Sequence, residues 1–148
     1  MDRFSVQQID HVEFFVPDRH EAAEWYDRVL GIKIVPDFAY WAEDPGGPLM
    51  ISPDGGHTKL ALFVGDAQGK RQTAGFHRVA FRVDGDGFMA FLTHIETHPV
   101  YGVNGDRITQ KSVVDHDKSW SIYFCDPWGH RLEVTTYDYD QVAALTQS

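Results

Sequence analysis

Disulfides, long apolar runs and basic clusters are all missing from this chain. Cys125 is the single cysteine, so no internal bridge can form. No apolar run approaches the roughly 20 residues that a membrane-crossing helix needs, and no apolar leader stands near the N-terminus. The expectation is a soluble, cytoplasmic protein. Lys and Arg together number 13 against 22 Asp and Glu, a formal net charge of −9. Nucleic acids and anionic membranes are held by clustered cations, so both are excluded as main partners and a small molecule or another protein remains. At 148 residues the chain is long enough to bury roughly two-thirds of its unfolded surface without cross-links or a structural metal.

What is present is a repeated pattern. "IDHVEFFV" (9–16) alternates apolar and polar residues and runs into "PDRHEAAEWYDRVLG", where Asp18 followed by Glu21 reads as a capping box. Ala22, Trp25, Tyr26, Val29 and Leu30 form a helical stripe that Gly31 ends. "IKIVPDF", "LMISP" and "KLALFV" follow as strands, separated by turns such as "EDPGGP" and "SPDGG". The order then recurs: "GFHRVAFRV" as a strand, "DGFMAFLTHIETH" as a helix, and strands around "RITQKSV", "SWSIYFCD" and "HRLEVTTY". The polar segment "GDAQGKRQTA" links the halves. The prediction is an α+β fold of one domain, 1–148. Two βαβββ modules, at about 8–65 and 75–138, form a half-open cup with a short C-terminal tail.

Within "HRLEVTTY", Leu132 and Val134 alternate with Arg131, Glu133 and Thr135, so one face packs on a core and Glu133 faces water or a metal. Two such modules, with a histidine opening the first strand of each and a glutamate in the last strand, resemble the vicinal oxygen chelate superfamily. That group includes glyoxalase I, methylmalonyl-CoA epimerase, fosfomycin-resistance thiol transferases, extradiol dioxygenases and metal-free bleomycin-binding proteins. The stretch "DPWGHRLE", Asp126 to Glu133, is similar to the superfamily's "DPxGHRxE". His116, Ile122, Tyr123, Asp126, Pro127, Gly129 and Glu133 follow in the order of the extradiol branch, and "YDYD" resembles the segment after it.

The resemblance implies a metal held by His11, His77 and Glu133, a facial triad for Fe(II) or Mn(II), with Zn or Ni as other options. It also implies His116 and Tyr123 as catalytic acid/base and hydrogen-bonding groups. A homodimer and a substrate chelating through two neighbouring oxygens, as a catechol does, follow as well. The strand register complicates the second ligand. With Val79, Phe81 and Val83 turned to the helix, Arg78 rather than His77 shares the ligand face, unless a β-bulge at 76–78 re-aims His77. Arg78 facing inward points instead to an anionic ligand without metal. Glu13, on the face of His11, is a candidate base or substrate contact, and His57 a substitute ligand or substrate contact. Ala61 stands where glyoxalase I and the epimerase carry a fourth ligand, so those two activities are demoted. The rivals are a thiol transferase or lyase of the same superfamily, and a metal-free binding protein whose Phe15, Phe38, Tyr40 and Trp41 stack on a flat ligand.

Overall fold

The computed structural model describes residues 4, 7–66 and 78–146. It divides into two compact units, Met1–Gln68 and Gly69–Ser148. Most of the predicted linker "GDAQGKRQTA" lies outside the described residues, as does His77.

In the first unit β1 (His11–Val16) leads into α1 (Arg19–Leu30). Asp18 caps the helix by accepting from the amides of His20 and Glu21, both at 3.0 Å. Gly31 ends it in the left-handed conformation at φ 69°, a cap that a side chain would strain. Strands β2 (Lys33–Ile34), β3 (Leu49–Ser52) and β4 (Lys59–Val64) complete a four-stranded mixed sheet of order β1-β4-β3-β2, with β1 and β4 parallel. Phe14, Val16, Leu60, Leu62, Leu49 and Ile51 are buried. Phe14 meets Tyr26 of α1 at 6.2 Å between ring centres. His11, Glu13 and Phe15, with Lys59, Ala61 and Phe63, line the opposite face.

The strand predicted through "IKIVPDF" stops at Ile34. Pro36 opens a 3₁₀ segment, Pro36–Glu43, because its fixed φ suits a first helical position and its missing N–H cannot extend a ladder. Arg19 holds the end of that segment by donating to the carbonyls of Ala42, Asp44 and Gly47.

The second unit repeats the plan. β5 (Val79–Arg82), α2 (Gly85–Thr97), β6 (Val114–Asp115), β7 (Trp120–Cys125) and β8 (Arg131–Thr136) give a second open mixed sheet of order β5-β8-β7-β6, with β5 and β8 parallel. Ile122, Phe124, Leu132 and Val134 are buried, and Phe91 of α2 meets Phe124 at 5.5 Å. One further expectation needs correction. "RITQKSV" forms a 3₁₀ turn at Gln110–Ser112, capped by Thr109 and Ser112, which leaves only the two-residue β6 after it. The residues after β8 carry a helix, α3 (Tyr139–Thr146), seated by the fully buried Val142, while Trp120 stacks on Tyr139 at 5.1 Å.

Candidate functional site

In the first unit, His11 at the start of β1 stands between two carboxylates. Its Nδ1 lies 2.8 Å from Asp10 Oδ2 and its Nε2 lies 3.1 Å from Glu13 Oε2. The bond to Asp10, and then that to Glu13, hold the imidazolium and raise its pKa above 6.5. Lys59, paired with His11 across β4, reaches Asp10 at 3.1 Å. Across the sheet from Glu13 lies Ala61, only 1% exposed. His57 stands exposed in the β3–β4 loop, and its carbonyl accepts from Gln8 Nε2 at 2.8 Å.

In the second unit the register decides which side chains share a face. Ser121, Tyr123 and Cys125 of β7 lie across from Thr135, Glu133 and Arg131 of β8, and Ala80 of β5 flanks Glu133 on its other side. Continuing the β5 ladder one residue back brings Arg78 beside Arg131 on that face. The guanidinium of Arg78 sits over the ring of Tyr123, 4.6 Å from the centroid. The hydroxyl of Tyr123 lies 2.7 Å from Nε2 of His116 in the exposed turn between β6 and β7. Glu133 is half-buried and accepts from Ser121 Oγ at 2.8 Å. Arg78, Tyr123, His116 and Glu133 are thus gathered on one surface. Burial first, then the nearby Asp126 carboxylate, keeps the Cys125 thiol above its ordinary pKa.

The rest of the "DPWGHRLE" motif is a turn. Asp126, with a side chain wholly shielded from solvent, accepts from the amides of Trp128 (3.0 Å) and His130 (2.8 Å), and its other oxygen lies 2.6 Å from His130 Nδ1. Gly129 takes φ 96° within it. The motif's aspartate, glycine and histidine therefore shape the turn into β8, and the glutamate is the member that faces outward from the core.

Among the described residues no cluster of three His, Cys, Asp or Glu side chains is set to hold a metal ion. The donors that are described nevertheless have metal-compatible chemistry. A carboxylate on Nδ1 orients the His11 ring as carboxylate partners do for ligating histidines, and Ser121 fixes a Glu133 oxygen. Neither supporting role was read from the sequence. Asp10 directly precedes the histidine, and Ser121 shares the alternation of Tyr123 with Glu133, so each left a signal. His94 and His98, read as a solvated face of α2, are half-buried and stacked 4.1 Å apart, as an i, i+4 pair can be.

A family model, Glyoxalase/Bleomycin resistance protein/Dioxygenase superfamily, matches residues 8–134. The chain belongs to that superfamily. No curated protein matches it. Among solved structures, the oxidase ChaP-H2 is 22% identical with a TM-score of 0.63, over 93% of this chain and 99% of that one. A glyoxalase family protein from Bacillus anthracis is 20% identical with a TM-score of 0.62, over 92% and 99%. A mutant of the fosfomycin resistance protein FosX from Listeria monocytogenes, complexed with Mn(II) and 1S,2S-dihydroxypropylphosphonic acid, is 14% identical with a TM-score of 0.66, over 93% and 97%. At such identities the likeness shows the superfamily fold, and the two open sheets with their helices match it.

Proposed function

We propose that this superfamily member is a metal-dependent enzyme resembling the extradiol dioxygenases, acting on a small substrate that offers two neighbouring oxygens. The observation that carries this reading is the Tyr123–His116 hydrogen bond beside Glu133. A phenol bonded to an imidazole, directly across the ladder from a carboxylate, can hold or pass a proton at a substrate oxygen near neutral pH. The resemblance supplies His11, His77 and Glu133 as ligands and Fe(II) or Mn(II) as the ion. When bound, the ion contributes Lewis acidity and a template for the reactants. In this reading Tyr123 donates to the developing oxyanion, His116 exchanges the proton with solvent, Ser121 orients Glu133, and Asp10 orients His11. Glu13 and Arg78 contact the substrate, as does His57 from its loop. A homodimer accompanies the reading.

The thiol-transferase alternative gains no support from Ser121, a hydroxyl that could have met a phosphonate but is 1% exposed and bonded to Glu133. A metal-free binding protein is favoured by a different feature. On the first unit, Val35, Met50 and Ala61 form a buried cluster with Phe38 and Phe63 packed against it, and Phe38 stacks on Trp41 at 4.5 Å. Such a surface suits a flat apolar ligand.

Plasma mass spectrometry of the native chain and of Glu133→Ala separates these readings. Near-stoichiometric iron or manganese in the native protein that is lost in the variant supports the metalloenzyme and leads to oxygen-uptake assays on catechols. No metal in either sample after anaerobic Fe(II) addition overturns it in favour of the binding protein.

A further inference from the structure

Metal-ligating side chains also meet away from the site described above. Of the described histidines, His11, His116 and His130 are engaged by Asp10 and Glu13, by Tyr123 and by Asp126, while His20 and His57 stand exposed. His94 and His98 meet each other. One helical turn apart at the C-terminal end of α2, their half-buried rings stack with centres 4.1 Å apart and planes 14° from parallel. Residues at i and i+4 share one helix face, the spacing by which paired helical histidines bind zinc.

Tautomer, distance and rigidity all suit this pair to chelation. Nδ1 of His98 lies 3.3 Å from the carbonyl of His94 and 3.1 Å from Thr97 Oγ1. A carbonyl oxygen only accepts, so this nitrogen carries the hydrogen and Nε2 keeps the lone pair that a metal needs. A ring whose second nitrogen donates to a backbone carbonyl is the usual form of a ligating histidine. An ion about 2.0–2.1 Å from each nitrogen needs the two nitrogens about 3 Å apart, and rings with centres 4.1 Å apart reach that by small side-chain rotations. The turn that carries the pair is also clasped from outside. Arg107 Nη2 donates to the carbonyl of Glu96 at 2.9 Å, Gln110 Nε2 donates to the Glu96 carboxylate at 3.0 Å, and the adjoining Ile95 is 1% exposed. Donors held in place beforehand lose less freedom when an ion arrives.

We propose that His94 and His98 form an accessory site for a late first-row divalent ion, Cu(II) most tightly, in which the two imidazoles fill two coordination positions and water fills the rest. Imidazole suits Cu, Ni and Zn, and affinity at a given nitrogen site peaks at Cu(II). Mn(II), at the weak end of that order and suited to oxygen donors, is not retained by two imidazoles. The site lies on one helix of the second unit and shares no residue with the set His11, His77 and Glu133, so it stands or falls separately from the proposed function.

The test uses the full chain, native and as Glu133→Ala, stripped of metal by chelation and titrated with Cu(II), with paramagnetic broadening of the histidine ring signals read by NMR. Cu(II) is expected to broaden the rings of His94 and His98 together, in both chains, before those of His20 and His57. Mn(II) at the same concentrations should broaden neither of the pair. In His94→Gln the His98 ring should need tenfold or more Cu(II) for the same broadening, and in His98→Gln the His94 ring likewise. Broadening of one ring of the pair without the other, broadening of neither, or a remaining ring as sensitive to Cu(II) as in the native chain would overturn the inference. The first two outcomes are read with both histidines in place, so they decide the matter even if a variant failed to fold. Iron or manganese lost from Glu133→Ala reports on the proposed catalytic ion alone and leaves the His94 and His98 result as it stands.

Discussion

Asp126 shows how much a single carboxylate can do without touching a ligand. It accepts three hydrogen bonds inside one turn, from two amides and an imidazole, and none of its side chain meets solvent. Asp126→Ala leaves those donors without their acceptor, and bonds to charged groups contribute about 1.5–3 kcal/mol each before relaxation. The expected loss is about 2–4 kcal/mol in urea denaturation, with metal content per folded molecule unchanged. Asp54 makes a comparable residue-scale prediction about pH. The amide of Thr58, then the hydroxyls of Thr58 and Ser52, lower its pKa from 3.8 to about 2. A folded pKa below the unfolded one stabilises above pH 3.8, and that contribution fades as pH falls toward about 2. The stability gap between the native chain and Asp54→Asn should therefore be constant at pH 5–7 and close across that acid window, as checked by urea titrations at a series of pH values.

At the scale of elements, the segment Pro36–Glu43 is fixed from outside itself. Its own 3₁₀ bonding is weak, and Arg19 of α1 ties down its last turn through three carbonyls. Arg19→Ala is expected to speed hydrogen exchange at the amides of Asp44 and Gly47 by tenfold or more, with α1 protected as before. The same segment marks where reading the sequence fails. Alternation and helical stripes located β1, α1, β4, α2, β7 and β8, because those elements bury one face and the burial is written as a period. Pro36–Glu43, Gln110–Ser112 and α3 carry no such period. The first two are decided by a proline and by a local cap, and α3 by the docking of Val142 and the stacking of Tyr139 on Trp120, which are tertiary events. Likewise the ladder put Arg78 on the face of Glu133, as the alternation required. That Tyr123 would reach His116 depended on the four-residue turn at 116–119, where Asp117 adopts φ 71°.

For the molecule as a whole, ligand and stability are linked. A cation that binds only the folded chain adds stability by mass action, about 2.7 kcal/mol at one hundred times its dissociation constant. Mn(II) is therefore expected to raise the Tm of the chelator-treated native chain, and to leave Glu133→Ala unmoved, in a thermal-shift series over metal concentration. Among the described residues no helix is long and apolar enough to cross a membrane.

The parallel pairings of β1 with β4 and of β5 with β8 set the order in which the chain can be assembled during synthesis. Each unit's first strand is paired by its last, and the strands between are added alongside the last. When β1 emerges during translation it has no ladder partner until Val64 has been made, so His11 sits on an unpaired edge for the length of that unit. In the second unit β8 is both the central strand and the carrier of Glu133. A chain stopped anywhere before Arg131 thus lacks the carboxylate and also the strand that joins β5 to β7, so β5 has no ladder partner and only β6 and β7 can pair.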